Sequence, residues 1–267
     1  GTLARDALAR EARLSPKPGL VDAENSGAHS DMDLSLLLLS AETLLPYFTR
    51  FAAQGCADAA VTPDRRLSAI RAEGIEAERA MLAATRGVNT HRGALFLLGT
   101  LCYAAGHCAE NGLCLLPETV CRTAGRLCAG VTRELGASAG RAYAKYGAKG
   151  ARGEAEAGFP HALLALAESD RATTCGAGED DAWLLALLRL IAAIRDTNAL
   201  ARCGEETARA LRRQAGDIAD AYPAGGNALR EAVRALDYDC RIWRVSPGGA
   251  ADLLACAMFL RALDETD

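Results

Sequence analysis

Five stretches hold most of the chemistry-bearing side chains, and each joins glycine to charge beside a predicted helix. They are SPKPGLVDAENSGAHSDMD (15–33), RGVNTHRGALFLLG (86–99), YGAKGARGEAEAGFPHALLAL (146–166), IRDTNALARCG (194–204) and SPGGAADLLA (246–255). His29, His91 and His161, three of the four histidines, fall in or beside them. Capping a helix does not by itself call for Asn89, Thr90, His91 and Arg92 in a row. Such junctions suit phosphates. Glycines let backbone N–H groups approach an anion, and the helix N-terminus that follows adds unsatisfied donors and partial positive charge. In the last stretch Ser246 can cap, Pro247 can take the first turn, and Gly248 and Gly249 leave the backbone open. The third adds Lys149 and Arg152 to the same kind of turn.

Carboxylates form a second theme. Asp31 and Asp33 bracket the start of a predicted helix, Asp196 precedes Thr197 and Asn198, Glu154 and Glu156 follow Arg152, and Asp252 lies one turn into the last helix. Carboxylates near phosphate-binding turns hold Mg²⁺ or act as general bases on hydroxyls. In a first helical turn they also simply favour the macrodipole, and for Glu156 that reading is preferred. His29 and His91 can serve as metal ligands, acids or donors to phosphate. His107 reads as a partly buried helix residue and His161 as a helix start. No HxxxH or HExxH is present, so a zinc hydrolase lacks its signature. Nor is there a GxSxG, a GxxxxGK[ST] or a strand-borne GxGxxG, which disfavours serine hydrolase, P-loop and Rossmann chemistry.

These residues must be positioned by helices. Ala and Leu dominate the 267 residues while aromatics are 5%, and no period-2 alternation is long enough for a strand. Helical spacing appears over 3–14, 32–54, 63–85, 91–111, 117–135, 138–145, 160–170, 179–195, 204–221, 224–236 and 246–265. Pro46 is expected to kink or break the second of these, and Pro63 to open the third. The expectation is an all-α single domain over residues 1–267, whose Gly-rich junction loops form one nucleotide pocket. The polar stretch 169–181 reads as a surface loop. A net charge of −4 argues against a general nucleic-acid binder. No apolar run reaches the ~20 residues of a membrane span, and no signal-peptide pattern opens the chain. The ten cysteines form no CxxC pair and read as small hydrophobes in a reducing cytoplasm.

Taken together and in order, the five stretches resemble the motifs of the triphosphoribosyl-dephospho-CoA synthase family, which serves citrate lyase and malonate decarboxylase. The resemblance runs from about residue 10 to the C-terminus. It departs at Arg92, where the family usually has Lys, and at Cys203-Gly204, where it usually has Gly-Gly. It implies a pentosyltransferase with ATP and 3′-dephospho-CoA as substrates and Mg²⁺ as cofactor. The 5′-triphosphoribosyl group of ATP passes to the 2′-hydroxyl of dephospho-CoA, adenine leaves, and the product goes to a holo-acyl-carrier-protein synthase. Under this resemblance Lys17, Arg92, Lys149 and Arg152 face phosphates. Asn89, His91, Asn198 and Ser246 orient ribose or phosphate, with His29, Gly248 and Gly249 also in the substrate site. Asp31, Asp33, Glu154 and Asp196 share catalytic work, and Asp31, Asp33, Asp196 and Asp252 are the Mg²⁺ ligands. Which carboxylate is the base, and whether the chain forms a homodimer, stay open.

Two rivals use the same residues. One is a metal-dependent all-α hydrolase of nucleotide or ADP-ribose-type N-glycosidic bonds, with water as nucleophile. It would release adenine from ATP without dephospho-CoA. The other is a non-catalytic helical binding module, which would tolerate Asp31→Asn and Asp196→Asn.

Overall fold

The computed structural model describes residues 1–60, 66–134 and 150–266, apart from the side chains of residues 66–69, 134, 197, 198 and 201. Its elements are α1 (Thr2–Arg13), α2 (Leu34–Ala57), α3 (Arg66–Ala84), α4 (Arg92–Glu110), α5 (Pro117–Leu127), a 3-10 turn (Val131–Glu134), α6 (Gly150–Glu156), α7 (Pro160–Thr174), α8 (Glu179–Ala193), α9 (Thr197–Ala221), α10 (Asn227–Trp243) and α11 (Gly248–Asp264). Among the described residues there is no strand, and the all-α expectation holds.

Three helices are apolar around most of their circumference and form the centre. They are α4, buried from Ala94 to Ala105 except at Phe96, α8, buried from Asp181 to Leu188, and α11, buried from Leu253 to Leu260. α1 packs on α2 and α11, α7 on α8 and α11, and α9 on α8 and α10. The most extensive pairing is α2 on α4, and glycine makes it close. A Cβ at Gly55 would stand 2.0 Å from the Tyr103 carbonyl, and one at Gly106 would stand 2.0 Å from that of Ala52. The two backbones touch where other residues would hold them apart.

Several boundaries depart from the sequence reading. α2 runs unbroken through Pro46. An interior proline costs about 3 kcal/mol, but Leu44 and Phe48, both fully buried, hold the helix on either side. α5 stops at Leu127 and a 3-10 turn follows, so the expected helix over 117–135 is two pieces. Residues 169–174 of the expected surface loop belong to α7. The expected helix over 204–221 is the second part of α9, which a non-helical break at Gly204 (φ 78°, ψ 178°) separates from an unexpected first part starting at Thr197. The start at Pro63 and the helix at 138–145 lie outside the described residues. No helix among the described residues is long and apolar enough to cross a membrane.

Candidate active site

The first stretch is a loop that lies against α10 and the segment leading into α11. Asp22, itself buried, organises it. One carboxylate oxygen accepts from Lys17 N (2.8 Å), and the other from Glu24 N (2.7 Å) and Asn25 N (2.9 Å). From α10, Asp237 Oδ1 accepts the Gly19 amide at 2.9 Å. Gly19 adopts φ +69°, and a Cβ there would stand 2.3 Å from the Val245 carbonyl, so only glycine fits. The loop thereby presents Lys17 inward. The Lys17 ammonium, 1% exposed, donates to the Glu11 carboxylate (2.5 Å) and carbonyl (2.7 Å). That leaves one of its three N–H groups beyond these two bonds. Burial raises the Glu11 pKa, against the opposing pull of Lys17.

Lys17 and Glu11 line a cleft of about 820 Å³, counted out to its open mouth. His29, Asn89, His91, Arg92, Ser246, Gly248 and Asp252 line it as well, as does Arg202. Three of the five stretches thus meet on one cavity, and Arg202 brings in a fourth. The N-termini of α4 (at Arg92) and α11 (at Gly248) both open on it, which adds partial positive charge to that of the basic side chains.

Two histidines stand in this wall with a bare ring nitrogen. His29 Nε2 bonds the Ser246 hydroxyl at 2.8 Å, while its buried Nδ1 has no hydrogen-bond partner. The exposed Asp31 carboxylate lies 3.7 Å from that Nδ1. Burial, and then the charge of Arg202, lower the His29 pKa. His91 Nδ1 bonds Ser40 Oγ at 2.8 Å, and its buried Nε2 has no hydrogen-bond partner. Burial, and then the Lys17 charge, push the His91 pKa down to about 4, so the ring is neutral near pH 7.

Asp252 meets the N-terminus of α4. Its carboxylate accepts from the Ala94 backbone, and a Cβ at position 93 would stand 2.0 Å from its Oδ2. Gly93 is therefore the vacancy that admits this side chain. Burial, then the charges of Asp196 and Glu11, raise the Asp252 pKa well above the usual carboxylate range.

Other expected site residues carry structural contacts of their own. Asp33 is the N-cap of α2, accepting from Leu36 N at 2.8 Å. Asp196 caps α9 through Ala199 N (3.1 Å) and holds the Gly249 amide (2.6 Å), so it ties α9 to α11 and occupies the Gly249 donor. Glu154 is committed to His161, accepting its backbone N–H (2.7 Å) and lying 2.6 Å from its Nδ1. That bond raises the His161 pKa. Glu156 pins Gly130 N and the Thr132 hydroxyl, a structural role. Neither Asp33 nor Glu154 lines the cleft. Arg92 lines it but pairs with Glu78 at 2.7 Å, and Asn89 accepts from Arg92 N at 3.3 Å. Arg152 lies on α6. Lys149 and the Asn198 side chain lie outside the described residues.

The Mg²⁺ expectation finds no cage. Among the described residues no group of three or more His, Cys, Asp or Glu side chains could hold a metal. Asp33 spends one oxygen on a backbone amide and Asp196 both. All ten cysteines are free, six of them buried. Burial pushes the Cys102, Cys121 and Cys128 thiols up to about 12, which suits packing rather than ligation.

The family model described as ATP:dephospho-CoA triphosphoribosyl transferase (CitG) matches residues 1–267. The chain is similar to a probable 2-(5''-triphosphoribosyl)-3'-dephosphocoenzyme-A synthase of Albidiferax ferrireducens, at 41% identity over 99% of this chain and 90% of that one. It is also similar to the 2-(5''-triphosphoribosyl)-3'-dephosphocoenzyme-A synthase of Haemophilus ducreyi, at 38% identity over 98% and 87% of the two chains. A probable synthase of that name from Pseudomonas syringae is 40% identical over 98% and 90%. No solved structure matches the chain.

Proposed function

This chain belongs to the ATP:dephospho-CoA triphosphoribosyl transferase family, and from that premise we propose how its cleft divides the work. The enzyme moves the 5′-triphosphoribosyl group of ATP to the 2′-hydroxyl of 3′-dephospho-CoA and releases adenine. At ribose C1′ the bond to adenine breaks, its electron pair leaves with the base, and a bond to the incoming oxygen forms. The hydrolase alternative has no support, since the family and its relatives carry transferase and synthase names.

The triphosphate belongs at the cationic wall, between Lys17, Arg202 and Arg92, with the α4 and α11 N-termini behind it and His91 Nε2 as a further donor. Clamped there, it holds the ribose while the remote binding energy of three phosphates orients C1′. We assign Mg²⁺ to the triphosphate and its waters, a common mode for this ion with nucleotides. It would neutralise phosphate charge.

Asp252 is the acid. The observation that carries this is its position, a cleft-facing carboxyl at the start of α4 in the space Gly93 leaves, holding its proton unusually tightly. It hands that proton to the departing adenine, and the carboxylate left behind faces the positive charge building at C1′. His29 takes the proton of the attacking hydroxyl on its bare Nδ1, with Ser246 orienting the ring from the other side. The product then serves a holo-acyl-carrier-protein synthase, and the reaction belongs in the cytoplasm, where free thiols stay reduced.

Asp252→Asn preserves shape and removes the proton. It should lower kcat by about 10²–10⁴-fold while the KM for ATP changes little. Steady-state adenine release, with both substrates present, measures this, and a variant with near wild-type kcat would remove Asp252 from the mechanism.

A further inference from the structure

Ser40 is fully buried on α2 and is not among the residues lining the cleft, yet its hydroxyl touches two residues that do. Thr90 Oγ1 lies 2.7 Å from Ser40 Oγ, and His91 Nδ1 lies 2.8 Å from it. A serine hydroxyl has one proton to give. When Thr90 donates to Ser40, that proton is free for His91 Nδ1, and the ring carries its own proton on Nε2. Every polar side-chain atom of the Thr90–Ser40–His91 relay is then satisfied except His91 Nε2, which is buried and unpartnered in a residue that lines the cleft. The reverse direction would turn a bare lone pair toward the site where Lys17 and the α4 N-terminus gather an anion, and the two would repel.

We propose that Ser40 is a positioning residue, fixing His91 in the tautomer that presents a neutral Nε2–H to a phosphate oxygen of ATP. The inference rests on the reading that the cationic wall receives the triphosphate. A neutral ring suits the role, since it donates one hydrogen bond without competing with Lys17 for charge. The low His91 pKa agrees with this. Thr90 completes the relay from the cleft side. None of this is visible to a motif search, because Ser40 sits in an ordinary helical turn fifty residues before Thr90.

Long-range ¹H–¹⁵N spectra of histidine-labelled enzyme at neutral pH report the tautomer directly. The wild-type His91 ring should carry its proton on Nε2 alone. Ser40→Ala should give a mixture of tautomers and raise the KM for ATP about 10-fold, the loss expected for one weakened hydrogen bond to a charged group. Its kcat and its KM for dephospho-CoA should stay near wild type. Thr90→Val keeps the Ser40 hydroxyl and should keep the Nε2–H tautomer. A wild-type ring protonated on Nδ1 overturns the proposal even if Ser40→Ala does not fold, and so does an unchanged tautomer in that variant. His91→Ala judges the underlying reading separately. If its KM for ATP is unchanged, His91 does not meet the triphosphate, whatever Ser40 does to its ring.

Discussion

A buried imidazole, His91, a buried ammonium, Lys17, and a buried carboxyl, Glu11, line the same cleft. Lys17 is held by Glu11, and burial, then the Lys17 charge, keeps His91 neutral. Stability follows with a definite sign. The folded His91 pKa is about 4 against an ordinary 6.5, so the neutral ring contributes stability above pH 6.5. That contribution is lost as pH falls from 6.5 toward 4, by about 3 kcal/mol in all. Denaturant titrations at pH 7 and pH 4.5 should therefore show a smaller drop for His91→Asn than for wild type, and equal drops would mean that the ring titrates normally. At this scale the sequence was legible where polarity broke a Gly-rich junction. Lys17, His29, His91, Ser246 and Asp252 come from such junctions and line the cleft. Asp33 and Asp196 could not be told from site carboxylates, because a helix cap uses the same residue type at the same place. Glu11 and Ser40 gave no local signal at all, and Arg202 was passed over within a stretch that did. Glu11 and Arg202 sit in helices and come to the cleft only through tertiary packing, and Ser40 touches it only through Thr90 and His91.

The helix ends do the positioning. α4 and α11 start at the cleft, and Asp196 and Asp252 connect those starts to each other and to α9. The break at Gly204 separates residues 197–203 from the rest of α9, and Arg202 sits on that short arm. Its φ of 78° with ψ of 178° is a backbone region essentially reserved for glycine. This accounts for one departure from the family pattern, since Gly204 carries the conformational demand and position 203 can be Cys. Gly204→Ala should cost about 1–3 kcal/mol, read by thermal or chemical denaturation, and should raise the KM for ATP as the arm moves. A fully stable variant with normal KM would mean that the break is not needed. Helical periodicity found most of these elements, because an amphipathic or fully apolar run is a local property. It did not find the continuity of α2 through Pro46 or the short arm 197–203 before the break in α9, which depend on what packs against them.

At the scale of the molecule, most of the buried apolar side chains from α1 to α11 join one cluster. Four elements far apart in sequence thereby bring their polar ends to one cavity. The Gly55 and Gly106 contacts set how closely α2 meets α4, and through α4 they set where His91 and Gly93 stand. Residues from four of the five junctions line one cavity. The third stretch, around Glu154 and His161, stands outside the cleft lining among the described residues. The central claim is group transfer at ribose C1′ inside this cavity. Its most direct measurement is mass spectrometry of the products formed from ATP, Mg²⁺ and dephospho-CoA, with adenine quantified alongside. The account predicts triphosphoribosyl-dephospho-CoA and adenine in equal amounts, and no adenine when dephospho-CoA is left out. Adenine released at the same rate without dephospho-CoA, or no adduct with folded enzyme, would contradict it.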